Sequence, residues 1–269
     1  MAHIICIANQ KGGVGKTTSA INLSAAFAMA GKRTLIVDCD AQANATTGLG
    51  IDKSGLTATL YNGLMGEAGL KDISIPTETE NLWIVPSTVG LIGFEVEMVN
   101  EPDRERILAR LIAPEADNFD FIFIDCPPSL SLLTLNAMTA SDGIIIPLQS
   151  EFYALEGLAQ LIGTIRRVKQ HLNPDLKIEG ILLTLYDKRT NLAAQVADDA
   201  SRYFSDLLFS TRIPRTVRLA EAPSFGKPIF SYDPSSPGAA AYLSLAKEIL
   251  KKHRKTAQEN RPAGRAGKA

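Results

Sequence analysis

The sequence is poor in the features that mark membrane, secreted and metal–thiolate proteins. It contains three cysteines among 269 residues and no C-x-x-C pair, so we expect buried free thiols and no iron–sulfur or other thiolate-bound metal site. No apolar run approaches the roughly 18 residues of a membrane-spanning helix. The first four residues, MAHI, lack the basic region and the long apolar core of a signal peptide. These absences predict a cytosolic protein.

The net charge is also low, at −1, but the charges are distributed unevenly. Residues 251–269 hold seven basic residues and one acidic residue, a charge of +6 that leaves −7 on residues 1–250. Residues 256–269 have no bulky apolar side chain with which to form a packed helix face, so we expect disorder there. This end suits an electrostatic tether to nucleic acid or a solubilising tail. We predict one domain over residues 1–253 and a basic, disordered tail over residues 254–269.

Short apolar runs alternate with segments of helical periodicity along the domain. The runs are apolar at nearly every position, as in strands covered on both faces, and predict a doubly wound, mainly parallel α/β sheet flanked by helices. The predicted strands span residues 4–8, 34–37, 82–85, 119–124, 143–148 and 178–185. The predicted helices span residues 16–30, 103–112, 130–140, 153–171, 192–204 and 239–253. Ligands of such sheets bind at the carboxyl ends of the strands.

Residues 9–18, NQKGGVGKTT, connect the first predicted strand to the first predicted helix. Glycines at this place let successive backbone amides point at phosphate oxygens, Lys16 supplies a positive charge, and Thr17 offers a hydroxyl to Mg²⁺. The predicted nucleotide contacts are Lys11, Gly12, Gly13, Val14, Gly15, Lys16, Thr17 and Thr18. A glycine-rich turn with solvated lysines is the alternative, and a dinucleotide fold is disfavoured because no third glycine follows at G-x-G-x-x-G spacing.

Acidic residues follow two of the predicted strands. Asp38 and Asp40 lie two residues apart after the second strand, where their carboxylates could hold a water. Asp125 ends a buried apolar run, and such a strand-end carboxylate can serve Mg²⁺ through coordinated water. Strand-end aspartates can also cap a turn or a helix without any metal. The phosphate loop on a neighbouring strand favours the metal and water roles.

The loop departs from the ordinary G-x-x-x-x-G-K-[ST] pattern, because Gln10 stands at its first glycine and an extra lysine, Lys11, precedes the glycine pair. This KGGVGKT form resembles the deviant Walker A loop of the ParA/MinD/nitrogenase-iron-protein class of P-loop ATPases. The resemblance implies ATP and Mg²⁺ as ligands, with Lys11 reaching the nucleotide of a partner subunit. It also makes Asp125 the Walker B acid.

Within that class, Asp40 matches the aspartate that orients the attacking water. The class usually has Asp-Pro-Gln-Gly-Asn there, whereas residues 40–44 of this chain read Asp-Ala-Gln-Ala-Asn; the turn differs and the carboxylate is kept. The resemblance therefore implies Lys11, Lys16 and Asp40 as catalytic residues. It implies Thr17 and, through water, Asp125 as the residues that hold the metal.

Later segments resemble the chromosome-partitioning ParA (Soj) type over nearly the whole chain. They are residues 136–140, 147–157, 183–191 and 213–228. In that family an Ile-Pro-Arg segment lies against the adenine, which implies base contacts from Pro214 and from Thr216, the latter in place of the commoner Asn. Arg189 and Arg218 match positions that the family uses on DNA.

Two segments supply basic residues that could converge on one face. They are Lys188, Arg189, Arg212, Arg215, Arg218 and Lys227. Without interleaved aromatic residues such a cluster suits phosphate contact, and hence duplex DNA of any sequence, rather than base stacking. Taken alone, it more often forms a solvated surface. The resemblance favours DNA, with Lys188, Arg189, Arg215 and Arg218 as the contacts.

The resemblance implies an ATPase that dimerises around two ATP molecules, binds nucleoid DNA nonspecifically in that state, and is released by hydrolysis. It further implies a ParB-like centromere-binding partner and a cytoplasmic, nucleoid-associated protein. A ParA-like positioner of another cargo and a synthetase on the same fold remain alternatives. A MinD-like membrane switch is disfavoured because the residues after Leu250 offer no apolar stripe, and we expect no sequence-specific operator reader because the first predicted strand begins near the N-terminus.

Overall fold

The computed structural model describes residues 2–151 and 154–259. Within these residues seven strands form one sheet, in the spatial order β3-β4-β2-β5-β1-β6-β7. The strands are β1 His3–Ile7, β2 Thr34–Asp38, β3 Ile75–Pro76, β4 Leu82–Val85, β5 Phe121–Asp125, β6 Gly143–Gln149 and β7 Lys177–Thr184. Every neighbouring pair is parallel except the antiparallel pair of β3 and β4. The predicted doubly wound, mainly parallel sheet is confirmed.

Helices cover both faces of this sheet. They are α1 Lys16–Met29, α2 Asn44–Gly48, α3 Leu60–Leu64, α4 Leu70–Ile73, α5 Ile92–Glu97, α6 Ile107–Ile112, α7 Leu132–Ala140, α8 Ala154–His171, α9 Asn191–Phe204, α10 Val217–Glu221, α11 Ile229–Tyr232 and α12 Pro237–Glu259. Among the described residues no helix is both long and apolar enough to cross a membrane.

The core consists of two apolar layers, one on each face of the sheet. Successive side chains of a strand point to opposite faces, so in β5 Ile122 and Ile124 pack into one layer while Phe121 and Phe123 pack into the other. Burial on both faces explains why these strands read as continuous apolar runs in the sequence. The three cysteines are free and buried, as predicted.

Several predicted boundaries differ from the observed ones for local backbone reasons. The strand predicted to end at residue 185 ends at Thr184, because Leu185 adopts a left-handed conformation with φ of 50°. The helix predicted from residue 103 opens with a 3₁₀ turn over Arg104–Arg106. The last helix begins at Pro237, a residue type that the first helical position accepts, and continues to Glu259.

The predicted boundary between domain and tail, at residues 253 and 254, therefore lies inside α12. The rest of the predicted tail, residues 260–269, lies outside the described residues, as does residue 153, where a helix was expected to begin. The sequence patterns missed the short helices α2 to α5, α10 and α11 and the antiparallel strand β3. Elements of two to six residues carry too few positions for periodicity to identify them.

A glycine in β7 lets the segment after α9 pack against the sheet. A Cβ on Gly180 would lie 2.8 Å from Phe209 Cδ2 and closer still to two other ring atoms. We expect Gly180→Ala to lower the free energy of unfolding by about 1–3 kcal/mol through overpacking. Urea denaturation measures this change. Gly163→Ala in α8 is the control, since nothing lies within 4 Å of its Cβ position and alanine is the better helix former; equal midpoints for the two variants would contradict the packing argument.

Candidate nucleotide-binding site

The three central strands bring the predicted site residues to one edge of the sheet. Asp125, the last residue of β5, pairs in register with Asp38 at the end of β2 and with Ile7 at the end of β1. The glycine-rich loop follows β1, and Asp40 lies just past the end of β2. The structure thus places the loop, Asp40 and Asp125 together at the carboxyl ends of parallel strands.

The loop has the conformation that its glycines permit. Gly13 and Gly15 have φ of 74° and 84°, in the left-handed region that residues with a Cβ seldom adopt. Gly15 directly precedes α1 and makes no side-chain cap, so the first amides of this helix are left to a ligand or to water. A helix start of this kind favours an anion.

Hydrogen bonds to two other strands and one within the loop fix this conformation. Asn9 Nδ2 donates to the carbonyl of Pro147 at 2.7 Å, and Asn9 Oδ1 accepts from the amide of Lys11 at 3.0 Å. Thr184 Oγ1 donates to the carbonyl of Val14 at 2.7 Å. Both Pro147 in β6 and Thr184 in β7 belong to the sheet, so the loop is held against rigid elements.

The two lysines of the loop lie in different environments. Lys16 is buried, and its Nζ donates to the carbonyl of Lys11 at 3.0 Å. Burial lowers the pKa of Lys16, while the charges of Asp125 and Asp40 act in the opposite direction. Lys11 instead has a half-exposed side chain whose ammonium pairs with Glu151, also half exposed. Lys16 is therefore positioned inside the site and Lys11 at its rim.

Asp125 is fully buried, and neither of its carboxylate oxygens accepts a hydrogen bond of ordinary geometry from the described residues. Burial, and next the charge of Asp38, raise the pKa of Asp125 well above its ordinary value; nearby Thr17 and Lys16 lower it in part. Thr17 is thus close enough to interact with this carboxylate, but a buried carboxylate whose water is replaced only in part is costly.

The other two carboxylates of the site are held by local hydrogen bonds. Asp38 Oδ2 accepts from the amide and the hydroxyl of Thr46 at 2.8 and 2.7 Å. Burial, opposed by these hydrogen bonds, raises the pKa of Asp38 to about 6. Asp40 is 8% exposed, and its Oδ1 accepts from the amide of Gln42 at 2.9 Å. Asp38 is thus a structural anchor, and Asp40 is the carboxylate with access to the site.

The turn after Asp40 has a left-handed residue at Ala43. Ala43 has φ of 55° and stands where the ParA/MinD class usually has glycine. A non-glycine residue in this conformation is strained by roughly 1–2 kcal/mol. The amide of Ala43 donates to the carbonyl of Asp40 at 2.9 Å, which closes the turn.

These residues fit a divalent cation bound through water. Asp125 provides two unpartnered oxygens, and Thr17 lies beside it in the first turn of α1. Hard oxygen ligands and retained water are what Mg²⁺ prefers. The charge of Asp40 adds to the rise in the pKa of Asp38, and the charges of Asp38 and Asp40 add to the rise in the pKa of Asp125. A cation would relieve this repulsion, which Lys16 offsets only in part.

The segment implied to contact a base runs beside the end of β7. The amide of Tyr186 donates to the carbonyl of Ile213 at 2.9 Å, and the amide of Arg215 donates to the carbonyl of Tyr186 at 3.1 Å. These two hydrogen bonds place Pro214 next to Tyr186. Thr216 caps α10, with its Oγ1 accepting from the amide of Leu219. The Thr216 hydroxyl can therefore still donate its proton to another acceptor, such as a base.

The basic residues of the two segments are exposed, but acidic neighbours hold the two arginines implied to contact DNA. Arg189 forms a bidentate pair with Asp187, with 2.9 Å from Nε to Oδ1 and 2.7 Å from Nη2 to Oδ2. These hydrogen bonds lower the pKa of Asp187 well below its usual range. Arg218 lies 3.1 Å from Glu221 and 3.4 Å from Asp233.

The pairing of Tyr186 with Pro214 brings the two basic segments together. Arg212 lies over the Tyr186 ring at 4.7 Å from its centroid and donates to its hydroxyl at 2.8 Å. The charge of Arg215 helps to lower the pKa of Asp187. Because Asp187 also contacts Arg189, the two arginines lie near each other. The remaining candidates, Lys188 and Lys227, are exposed.

Sequence reasoning missed three partners that shape the site. Glu151 pairs with Lys11 from 140 residues away, Thr184 holds the loop from β7, and Thr46 anchors Asp38. Only Thr46 had a signal in the sequence, as a hydroxyl close behind the acidic pair. The other two contacts depend on strand order, which no local pattern encodes.

Comparisons with known proteins agree with this geometry. The sequence profile of the AAA domain family matches residues 2–178. The chain is 55% identical over 249 residues to the sporulation initiation inhibitor protein Soj of Bacillus subtilis (strain 168), covering 93% of this chain and 98% of that protein. It is 54% identical over 252 residues to the chromosome partitioning protein ParA of Myxococcus xanthus (strain DK1622), covering 94% and 89%.

A solved structure described as cobyrinic acid a,c-diamide synthase from Mycobacterium smegmatis, with bound ADP and magnesium, superimposes with a TM-score of 0.84. It is 35% identical, and the match covers 95% of this chain and 97% of that chain. The fold and the sequence comparisons therefore point to one class of nucleotide-binding protein.

The unpartnered charge of Asp125 predicts a stability change. We expect Asp125→Asn to stabilise the nucleotide-free protein by roughly 1–3 kcal/mol near neutral pH, because it removes a buried charge that has no hydrogen-bond partner. Since the folded-state pKa is raised, the wild type loses stability as pH rises through that pKa. The advantage of the variant should therefore be larger at about pH 8 than at about pH 5.

Thermal unfolding of both proteins without nucleotide and magnesium measures this difference. Asp52→Asn is the control, since the Asp52 carboxylate is exposed and accepts hydrogen bonds from Ser54. An Asp125→Asn variant that is less stable than wild type at both pH values would show that the carboxylate has a stabilising partner.

Proposed function

We propose that this chain, which belongs to the ParA/Soj family of chromosome-partitioning proteins, is an ATP-dependent switch. It binds ATP with Mg²⁺, dimerises around two nucleotides, and binds duplex DNA without sequence preference in that state. Hydrolysis to ADP and phosphate dissolves the dimer and releases the DNA. A ParB-like centromere-binding protein is the expected activator, and the nucleoid within the cytoplasm is the expected location.

The observation that carries this proposal is the buried, unpartnered carboxylate of Asp125 next to an anion-binding loop. The left-handed glycines and the uncapped start of α1 suit phosphate oxygens. The two open oxygens of Asp125 suit the hydration shell of a cation. Only a ligand that brings anion and cation together complements both features, and a magnesium nucleotide is such a ligand.

The residues of the site divide the chemistry between them. Lys16, held by the carbonyl of Lys11, places its ammonium on the β and γ phosphates. Mg²⁺, when bound through Thr17 and the water shell of Asp125, supplies positive charge to the phosphate oxygens. Asp40 accepts a hydrogen bond from the attacking water and orients it. Because Asp40 has only one hydrogen bond to the backbone, its second oxygen can take this water. Catalysis then rests on positioning and charge.

Lys11 is the residue proposed to act across the dimer. Its side chain is 48% exposed and lies at the rim, so a second subunit can reach it. Its pair with Glu151 joins two half-exposed groups and is worth at most about 1 kcal/mol. Phosphates of the partner's nucleotide can therefore displace Glu151 at small cost. In a dimer interface with little water the new contact is stronger than the one it replaces.

The exposed arginines support the DNA-binding part of the proposal. Asp187 lies against Arg189, and Glu221 and Asp233 lie against Arg218, so each arginine carries little unbalanced charge in one subunit. A monomer should therefore bind DNA weakly. Joining two subunits doubles the phosphate contacts, and the arginines can share their hydrogen bonds between carboxylate and phosphate.

A synthase reaction on the same fold is the second candidate. The 35% identity to the M. smegmatis structure described as a diamide synthase favours it. The identities of 55% and 54% to proteins named for sporulation control and chromosome partitioning favour the switch. Formation of a product other than ADP and phosphate would distinguish the two. Positioning of another cargo by the same ATPase is a third possibility that the site does not separate from partitioning.

Substitutions of Lys11 and Glu151 should change dimerisation in opposite directions. Lys11→Ala should leave ATP binding to the monomer largely intact and reduce both the ATP-dependent dimer and hydrolysis. Glu151→Gln should release Lys11 for the partner and tighten the dimer by up to about fivefold per lysine, given the worth of an exposed ion pair. Light scattering with ATP measures the dimer fractions in the Asp40→Ala background, in which we expect ATP to bind but hydrolysis to stall because the attacking water is not oriented. Phosphate release by Lys11→Ala with Asp40 intact measures the effect on hydrolysis. Equal dimer fractions in wild type, Lys11→Ala and Glu151→Gln would rule out action across the dimer.

DNA binding should require ATP and weaken steeply with salt. Each basic side chain that neutralises a phosphate contributes about −0.9 to the slope of log K against log salt. Arg189→Ala or Arg218→Ala, present in both subunits, should flatten the slope by up to roughly two. We would titrate salt on two unrelated duplexes, with ATP retained by the Asp40→Ala background. Affinity should be the same for both sequences.

Arg167→Ala on α8 is the control for this experiment, because Arg167 is exposed and lies outside the two basic segments. Its slope should match that of the parent. If the slopes of both arginine variants also match the parent while dimerisation is intact, these residues do not contact DNA. Binding that is equally tight without nucleotide would overturn the switch itself.

A further inference from the structure

A second group of ionisable side chains lies at the opposite end of the sheet from the phosphate loop. His3 is the first residue of β1, Glu179 lies near the start of β7, and His253 lies in α12. We call these three residues the His–Glu–His cluster. It has no part in the nucleotide chemistry described above.

The donor atoms of the cluster face one another at short range. His253 Nε2 lies 3.0 Å from Glu179 Oε1, and His3 Nε2 lies 3.9 Å from Glu179 Oε2. One donor atom from each residue lies within 4.8 Å of the others. The Glu179 side chain is 6% exposed. His3 Nε2, Glu179 Oε1 and His253 Nε2 make no hydrogen bond of ordinary geometry to the described residues. Burial raises the pKa of Glu179, but His253 and His3 are close enough to outweigh burial and hold that pKa well below its usual range.

We propose that the His–Glu–His cluster binds a zinc ion through His3 Nε2, His253 Nε2 and the Glu179 carboxylate. Zinc–nitrogen and zinc–oxygen bonds of about 2.0–2.2 Å in a tetrahedron place neighbouring donors about 3.3 Å apart. The two observed separations from Glu179, 3.0 and 3.9 Å, bracket this value. Two imidazoles and one carboxylate suit zinc rather than Mg²⁺, which prefers oxygen alone. The fourth position is left to water.

A carboxylate behind His3 completes the arrangement. His3 Nδ1 lies 3.5 Å from Asp142 Oδ2, and this oxygen also accepts from the amide of Ile4 at 2.8 Å. Metal-bound histidines usually donate their second ring nitrogen to such a carboxylate. With the proton on Nδ1, the lone pair of His3 is on Nε2, which faces the cluster.

The backbone leaves room beside these donors. A Cβ on Gly143, the first residue of β6, would lie 3.1 Å from Glu179 Oε2 and 3.7 Å from His3 Nε2. Glycine therefore keeps this side of the cluster open.

A lysine lies close to the cluster: Lys252 Nζ donates to the backbone carbonyl of Glu179 at 2.6 Å and lies 3.6 Å from Glu179 Oε1. Its charge opposes a metal, so Lys252→Gln should tighten zinc binding.

The consequence of the site is a cross-link between distant parts of the chain. It joins the start of β1 and the start of β7 to the end of α12. The same helix packs on α1, where Tyr242 hydroxyl and Ser19 Oγ lie 3.1 Å apart. Zinc should therefore stabilise the attachment of α12, because a ligand that binds only the folded state raises the unfolding midpoint.

The test uses the full chain without an affinity tag, stripped of metal by a chelator and free of nucleotide. Zinc is then titrated against a colorimetric chelator, and Co²⁺ absorption reports the ligand set. We expect one zinc ion per chain, a zinc-dependent rise in the unfolding midpoint, and loss of both in Glu179→Gln and His253→Gln. Asp142→Asn should weaken binding about 10- to 100-fold.

The third histidine of the chain is the matched control. His171 is exposed at the end of α8, so His171→Gln should bind zinc as the wild type does. Circular dichroism and nucleotide binding without zinc show whether each variant is folded. The proposal is wrong if the wild type binds no zinc, or if folded Glu179→Gln and His253→Gln bind it with unchanged affinity.

Discussion

The buried charge of Asp125 is the constraint on which the rest of this structure depends. It ends the middle strand of the sheet, between the strands that lead to the phosphate loop and to Asp40. The surrounding core excludes water, and Thr17 and Lys16 replace its stabilising effect only in part. A fold that contains such a group is less stable than it would be with a neutral residue there. A bound cation recovers this loss, which makes ligand binding and stability two aspects of one interaction.

The same core separates the roles of the two loop lysines. Lys16 is buried, so its ammonium is already confined near the carboxylates and needs little reorganisation when an anion arrives. Lys11 is held only by a half-exposed ion pair with Glu151 and can exchange partners. A residue that must act on a second subunit has to be accessible and weakly held. Burial therefore explains why two lysines five residues apart suit the different roles proposed for them, one within the subunit and one across the dimer.

Ion pairs also limit the free charge of residues outside the nucleotide site. Arg189 and Arg218 are matched by carboxylates within their own subunit, so the attraction for DNA proposed for them would be modest until several act together. At the other end of the sheet, the His–Glu–His cluster gathers donors from β1, β7 and α12. Strand β1 thus leads from one candidate ion site at its start to another at its end, about five residues away along one rigid element.

The sequence by itself determined the parallel α/β sheet, the phosphate loop, the cofactor class and the two strand-end acids, because continuous apolar runs and fixed motif spacings are local properties of the chain. Strand order decided the rest. It placed Asp38 beside Asp125, Glu151 on Lys11, Tyr186 beside Pro214 of the Ile-Pro-Arg segment, and His253 on Glu179. Burial, pKa and the matching of charges depend on which segments meet, and only the tertiary structure fixes those meetings.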